Sequence, residues 1–122
     1  MEALSSAEEQ LMKYLWVLKR CFMRDLLEVL PEPKPAKTTV ATLLRRMIDK
    51  GVVGYRTYGN SREYYPLVSK QVYFGRQLRG MVRDFFSSSP TELASLLTGE
   101  AKLSREQLRE LQRLIDEKLE EQ

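Results

Sequence analysis

At 122 residues, 43% hydrophobic and 30% charged, the chain has the size of one compact domain, or of a small domain with an accessory element, and enough apolar mass to bury a core. A single cysteine rules out an internal disulfide, and the absence of histidine removes the commonest general base and metal ligand, which excludes Ser-His-Asp and Cys-His hydrolases and all but excludes a zinc site. No apolar run approaches the roughly 20 residues of a membrane span, and the acidic, serine-containing start is unlike a signal peptide, so a soluble, cytoplasmic protein without a membrane partner is expected.

Ser5 and Glu8 form a capping box that opens a first helix, with Leu11, Leu15 and Leu18 on one apolar face beside Met12 and Trp16. Phe22 to Leu30 reads as a short second helix, ended by Pro31 and the loop Pro31-Glu32-Pro33-Lys34-Pro35. Thr38 or Thr39 starts a third, in which Val40, Leu43, Leu44 and Met47 face inward and Lys50-Gly51 is the stop. Val52–Tyr58 and Arg62–Leu67 are strands of a hairpin around the turn residues Gly59-Asn60-Ser61. A fourth helix is expected from about Ser69 to Phe86, broken by Ser87-Ser88-Ser89-Pro90. Thr91 then caps a short helix carrying Leu93, Leu96 and Leu97. After a linker around Gly99, a second capping box, Ser104 with Gln107, opens a last helix with Leu108, Leu111, Leu114, Ile115 and Leu119.

Charge is unevenly placed. Residues 1–70 carry +4, 71–86 carry +2 and 87–122 carry −3. Within the first segment, residues 34–65 hold 7 basic side chains against Asp49 and Glu63. A basic middle suits a polyanionic partner, and an acidic tail suits a different task. A mixed-charge solvated surface is the plainer alternative.

Helix, helix, helix, hairpin is the order of a winged helix-turn-helix. The fold class expected is therefore mainly α with a small β-hairpin wing: a DNA-binding domain over 1–70 and a C-terminal helical dimerisation module over 71–122. A helix fits the major groove of B-DNA and a hairpin beside it can reach flanking phosphates. With its apolar stripe buried, the recognition helix (about 38–50) presents Thr38, Thr39, Thr42, Arg45 and Arg46, with Lys37 at its start; capping accounts for only one of the threonines. The wing (52–67) presents Arg56 and Arg62. Arg45 and Arg46 could instead be solvated surface arginines, and the interleaved tyrosines suit core packing better than base stacking. Tyr64 and Tyr65 face opposite ways by strand alternation.

Leu4-Ser5-x-x-Glu8, Leu11-Met12-x-x-Leu15-Trp16 and Thr39-Val40-x-Thr42-Leu43-Leu44-x-Arg46-Met47-x-x-Lys50-Gly51 resemble the penicillinase-repressor family (BlaI/MecI/CopY type). Tyr64-x-Pro66-Leu67-Val68-Ser69 and Leu103-Ser104-x-Glu106-x-Leu108-x-x-Leu111 continue the likeness over nearly the whole chain. The resemblance implies a homodimeric winged-helix repressor of its own or neighbouring operons, released by an upstream signal or sensor protein, with Thr39, Thr42 and Arg46 as operator contacts. Departures are also visible. Cys21-Phe22 stands where the second helix of the family begins with Thr or Ser, and Phe86-Ser87-Ser88-Ser89 replaces a Phe-Gly-Gly stretch. Gly80-Met81 aligns with the Asn-Phe bond that a sensor protease cuts in antibiotic-responsive members, and the Cys-x-Cys motifs of copper-responsive members are missing.

Leu93, Leu96, Leu97, Leu108, Leu111 and Ile115 are more apolar surface than two short helices hide from each other. They are expected at a homodimer interface, the alternative being that they fold back on the chain's own core. Two linked copies would read the half-sites of a palindromic operator in double-stranded DNA. A winged-helix protein-interaction module without DNA is the other function considered. No enzyme activity and no cofactor are expected, since Asp25, Glu28, Asp49 and Glu63 form no acid/base pair or metal spacing and no glycine-rich phosphate loop is present. Cys21 reads as a small residue buried between helices, with a redox sensor as the alternative.

Overall fold

The computed structural model describes residues 3–86 and 89–122. Helix α1, Ser6–Leu18, opens on the expected capping box: Ser5 Oγ accepts from the Glu8 N–H at 3.2 Å and Glu8 Oε1 accepts from the Ser5 N–H at 2.7 Å. Its Leu11, Met12 and Leu15 are buried.

The second helix starts later than its sequence suggests. Cys21–Phe22 is a short strand, β1, and the helix, α2, runs from Met23 to Val29. Phe22 is its N-cap and has no side-chain oxygen to offer; Asp25 Oδ2 instead reaches back to accept from the Phe22 N–H at 2.9 Å. At the other end Lys34 Nζ donates to the carbonyl oxygens of Leu27, Glu28 and Leu30 at 2.8, 2.9 and 2.9 Å. A cation thus satisfies carbonyls that a helix terminus leaves orphaned.

Helix α3 spans Lys37–Asp49 with Ala36 at its N-cap, so neither Thr38 nor Thr39 caps it. Its end is a Schellman motif: the Gly51 N–H donates to Ile48 O at 3.0 Å and the Val52 N–H to Met47 O at 3.1 Å. Gly51 sits at φ 79°, where a side chain would be strained. Strands β2, Val53–Tyr58, and β3, Ser61–Pro66, then pair antiparallel, and β1 joins the far edge of β3 to give the order β1-β3-β2. The wing is therefore two strands of a three-stranded sheet rather than a free hairpin. Ser61 belongs to the ladder, opposite Tyr58, which leaves Gly59-Asn60 as the turn, with Gly59 at φ 59°.

The core lies between α1, α2, α3 and the sheet, around Met12, Leu15, Leu26, Val40, Leu44, Met47, Val52 and Val53. Tyr64 is buried on one face of β3 and Tyr65 half-buried on the other, as alternation requires. Helix α4, Lys70–Met81, begins with Ser69 Oγ accepting from the Val72 N–H and ends in a wider π-helical turn over Val82–Phe86, directly after Gly80-Met81, where glycine weakens the α-helical preference. Tyr73 is fully buried; its hydroxyl accepts from the Leu4 N–H and donates to Glu9, while the Trp16 indole donates to Val68 O at 2.8 Å. These contacts explain why the first compact unit of the chain extends to Gln77 and the second begins at Leu78.

In the second unit, helix α5 spans Pro90–Thr98. Ser89, not Thr91, is its cap, accepting from the Glu92 N–H at 3.2 Å with Pro90 in the first helical position. Ser87 and Ser88, part of the expected helix break, lie outside the described residues. Helix α6, Arg105–Glu120, opens on the expected Ser104–Gln107 box. Among the described residues no helix is long and apolar enough to cross a membrane.

One ion pair ties the first unit together. Lys50 Nζ lies 2.7 Å from Glu8 Oε1 and also donates to Ala3 O, and the Glu8 side chain is almost wholly inside. Burial alone pushes the Glu8 carboxyl up, but Lys50 and the Ser5 hydrogen bonds more than reverse this, and its pKa falls below the ordinary 4.5. A carboxyl with a depressed folded pKa stabilises the fold fully above its unfolded value and loses that contribution as pH falls through the folded one. Urea denaturation should therefore show wild-type stability declining below pH 4.5, with a flatter decline in Glu8→Gln. At neutral pH, Lys50→Ala should cost about 3 kcal/mol by leaving the carboxylate unpaired. A neutral effect would show that the pair carries no stability.

Candidate nucleic-acid interface

Helix α3 divides its surface sharply. Val40, Leu44 and Met47 are buried and Leu43 is half-buried, while Lys37, Thr38, Thr39, Thr42, Arg45 and Arg46 are all exposed. Because Ala36 occupies the cap, both early threonines are released from capping. Thr42 donates its hydroxyl proton to Thr38 O at 3.0 Å, which leaves its oxygen lone pairs and methyl group facing solvent.

The sheet supplies the second wall. Arg56 and Arg62 are exposed on β2 and β3, and the Arg62 guanidinium rests 4.2 Å from the centre of the Tyr55 ring. Tyr55 in turn sits opposite Tyr64 in the ladder, with ring centres 6.4 Å apart. Glu63, the register partner of Arg56, makes its ion pair with Arg20 at 3.7 Å instead.

The seven cations of residues 34–65 separate into two groups. Lys34 closes the end of α2 and Lys50 neutralises Glu8, so both serve the fold. The other five are Lys37, Arg45, Arg46, Arg56 and Arg62; all are exposed, and none has a carboxylate within 4.0 Å among the described residues. Lys37, Arg45 and Arg62 line one groove of about 680 Å³ between the start of α2, α3 and the wing. Arg45 and Arg62 also border a smaller adjoining hollow of about 270 Å³, where Asp49 is the acidic neighbour. Thr38, Thr39, Thr42, Arg46 and Arg56 do not line the groove and stand on the open surface.

Two groove residues are not evident from the sequence, Arg24 at the start of α2 and Asn60 at the tip of the wing. The helix-turn-helix order is the available signal for Arg24, since it places the start of the second helix beside the third. Cys21 is buried as expected, though on strand β1 opposite Tyr64 rather than between helices. Burial first, then the nearby Asp25 and Glu63 carboxylates, push its thiol up to about 11, so it stays protonated near neutrality. Among the described residues no three His, Cys, Asp or Glu side chains are grouped to hold a metal ion.

In the second unit Leu93 and Leu108 are half-buried, and Leu96, Leu97, Leu111 and Ile115 are exposed together with Leu114 and Leu119. Leu97, Leu108, Leu111 and Ile115 line a shallow apolar trough between α5 and α6. Arg113 pairs with Glu110 and Glu117 elsewhere on α6.

Comparison with known proteins agrees with this architecture. The profile of the penicillinase repressor family matches residues 4–117. The methicillin resistance regulatory protein MecI of Staphylococcus aureus (strain N315) is 22% identical over 116 residues, which is 94% of each chain, and MecI of Staphylococcus epidermidis matches to the same extent. The solution structure of the DNA-binding domain of the repressor BlaI superposes with a TM-score of 0.52 at 25% identity, covering 60% of this chain and 94% of that domain.

Proposed function

The chain belongs to the penicillinase-repressor family and is a DNA-binding repressor, and we propose that it works in the cytoplasm as a homodimer on a palindromic operator. In this reading residues 1–70 hold the DNA and 71–122 join the two copies. Lys37, Thr38, Thr39, Thr42, Arg45 and Arg46 face the major groove and the nearest phosphates, and Arg56 and Arg62 meet the backbone beside it. The observation that carries the assignment is the set of five exposed cations on α3 and the wing, none of them in an ion pair among the described residues. Release by an upstream sensor protein belongs to the proposal. A cut at Gly80-Met81 does not, since that pair lacks the Asn-Phe chemistry of the cleaved relatives.

Genomic fragments retained by the protein should be lost steeply as salt rises, because each neutralised phosphate releases condensed counterions. Arg46→Ala should weaken retention by about 1–3 kcal/mol, and substitutions at Thr42 should change which fragments are kept. Indifference to both changes would remove α3 from the role of recognition helix.

The dimer proposal rests on the leucine-rich face of the second unit. Fully burying an exposed Leu or Ile contributes about 1.5–3 kcal/mol. Leu96, Leu97, Leu111 and Ile115 keep 39%, 39%, 36% and 58% of their surface exposed, so covering that remainder in both copies offsets a sizeable part of the association cost. Sedimentation should find a wild-type dimer, and Leu111→Asp combined with Ile115→Asp should give a folded monomer. A monomeric wild type would contradict the proposal.

A further inference from the structure

We propose that Arg24 is a phosphate-contacting residue and that the groove between the start of α2, helix α3 and the wing seats one sugar–phosphate strand of the bound duplex. The inference rests on the DNA-binding reading and extends it to a helix and a residue outside that reading. Four cations line the groove, Arg24 from α2, Lys37 and Arg45 from α3, and Arg62 from the wing, and no carboxylate lines it. At about 680 Å³ the groove is far too small for a duplex to enter. A single backbone strand passing between α3 and the wing brings a phosphate about every 3.4 Å of helix rise, enough to meet several of these cations in turn.

Arg24 is set up for that contact in the same manner as Arg62. Its guanidinium rests over the Phe22 ring at 5.6 Å, as that of Arg62 rests over Tyr55 at 4.2 Å. Stacking on an aromatic face restrains a planar guanidinium while leaving its edge donors free, which lowers the ordering cost when a phosphate arrives. The Phe22 ring also packs edge-on against Tyr58, with centres 6.1 Å apart, so the shelf beneath Arg24 is fastened to β2, the strand on the far side of β3 from β1. The competing group is Asp25, whose Oδ1 lies 4.0 Å from Arg24 Nε while its Oδ2 holds the Phe22 N–H. A solvent-exposed contact at that distance is weak, and the terminal nitrogens of Arg24 remain available for the two-pronged contact that guanidinium makes with phosphate.

Phosphate contacts are read by the salt dependence of binding, independently of operator sequence. The test uses the full chain and a fluorescein-labelled duplex of about 30 mixed-sequence base pairs, followed by anisotropy between about 50 and 200 mM salt. Arg24→Ala and the longer, uncharged Arg24→Gln should each make the slope of log K against log salt shallower by about 0.9. Arg24→Lys, which restores the charge, should recover the slope, and Arg109→Ala on α6 should leave it unchanged. If both uncharged variants keep the wild-type slope while Arg45→Ala reduces it, Arg24 and the strand track are overturned and the DNA-binding reading stands. If the wild type shows no salt-dependent binding, that reading falls and takes this inference with it.

Discussion

Helix α3 commits Val40, Leu44 and Met47 to the interior, and that commitment governs everything on its other side. Successive residues of a helix turn by about 100°, so burying positions four and seven residues apart leaves no choice about where their neighbours point. Thr38, Thr39, Thr42, Arg45 and Arg46 are outward because the stripe is inward. The Schellman turn at Gly51 then sends the chain directly into the sheet, so that the wing emerges next to the same exposed face. Loss of the stripe would rotate or melt the helix and scatter the whole cationic surface.

The basic character of the middle of the chain is put to two uses. Lys50 and Lys34 serve the fold, one against a buried carboxylate and one against the carbonyl end of a short helix. Both partners are fixed in place, which makes these cations unsuited to an external ligand. The exposed cations have looser surroundings: those of α3 and the wing have no carboxylate within 4.0 Å among the described residues, Arg24 has only the exposed contact to Asp25 at 4.0 Å, and an aromatic ring lies beneath the guanidinium of Arg24 and Arg62. Charge counted along a sequence overstates the surface field for this reason. The excess that a ligand meets is what the fold has not already neutralised.

Both capping boxes, the inward stripe of α3 and the stop at Gly51 are legible in the sequence because each is written in residues only a few positions apart. Strand β1 is not. Its two residues are too few for any alternation, and its extended shape comes from pairing with Tyr64 and Glu63, more than forty positions further on. At the cap of α3 propensity favours threonine, yet Ala36 takes the position where the chain leaves the proline-rich loop. Thr91 loses the cap of α5 to Ser89 because Pro90 suits the first helical position. At the candidate interface the individual cations can be anticipated from charge and periodicity. Their sorting into structural and exposed groups cannot: Lys50 is taken by Glu8, 42 positions away, and the use of Lys34 depends on how the proline-rich loop turns it back over the carbonyl end of α2.

The two units carry different kinds of exposed surface. In the first, the outer face of α3 is cationic and hydroxyl-bearing, and in the second the exposed leucines of α5 and α6 lie within an acidic stretch of chain. That separation is what the proposed division between DNA contact and self-association requires. The most direct test of the role of α3 is an amide NMR titration of the labelled chain with duplex taken from upstream of its own coding sequence. The largest shifts are expected at residues 37–46 and 56–62, with α6 little disturbed. Shifts confined to Arg105–Glu120, with α3 unmoved, would contradict that role.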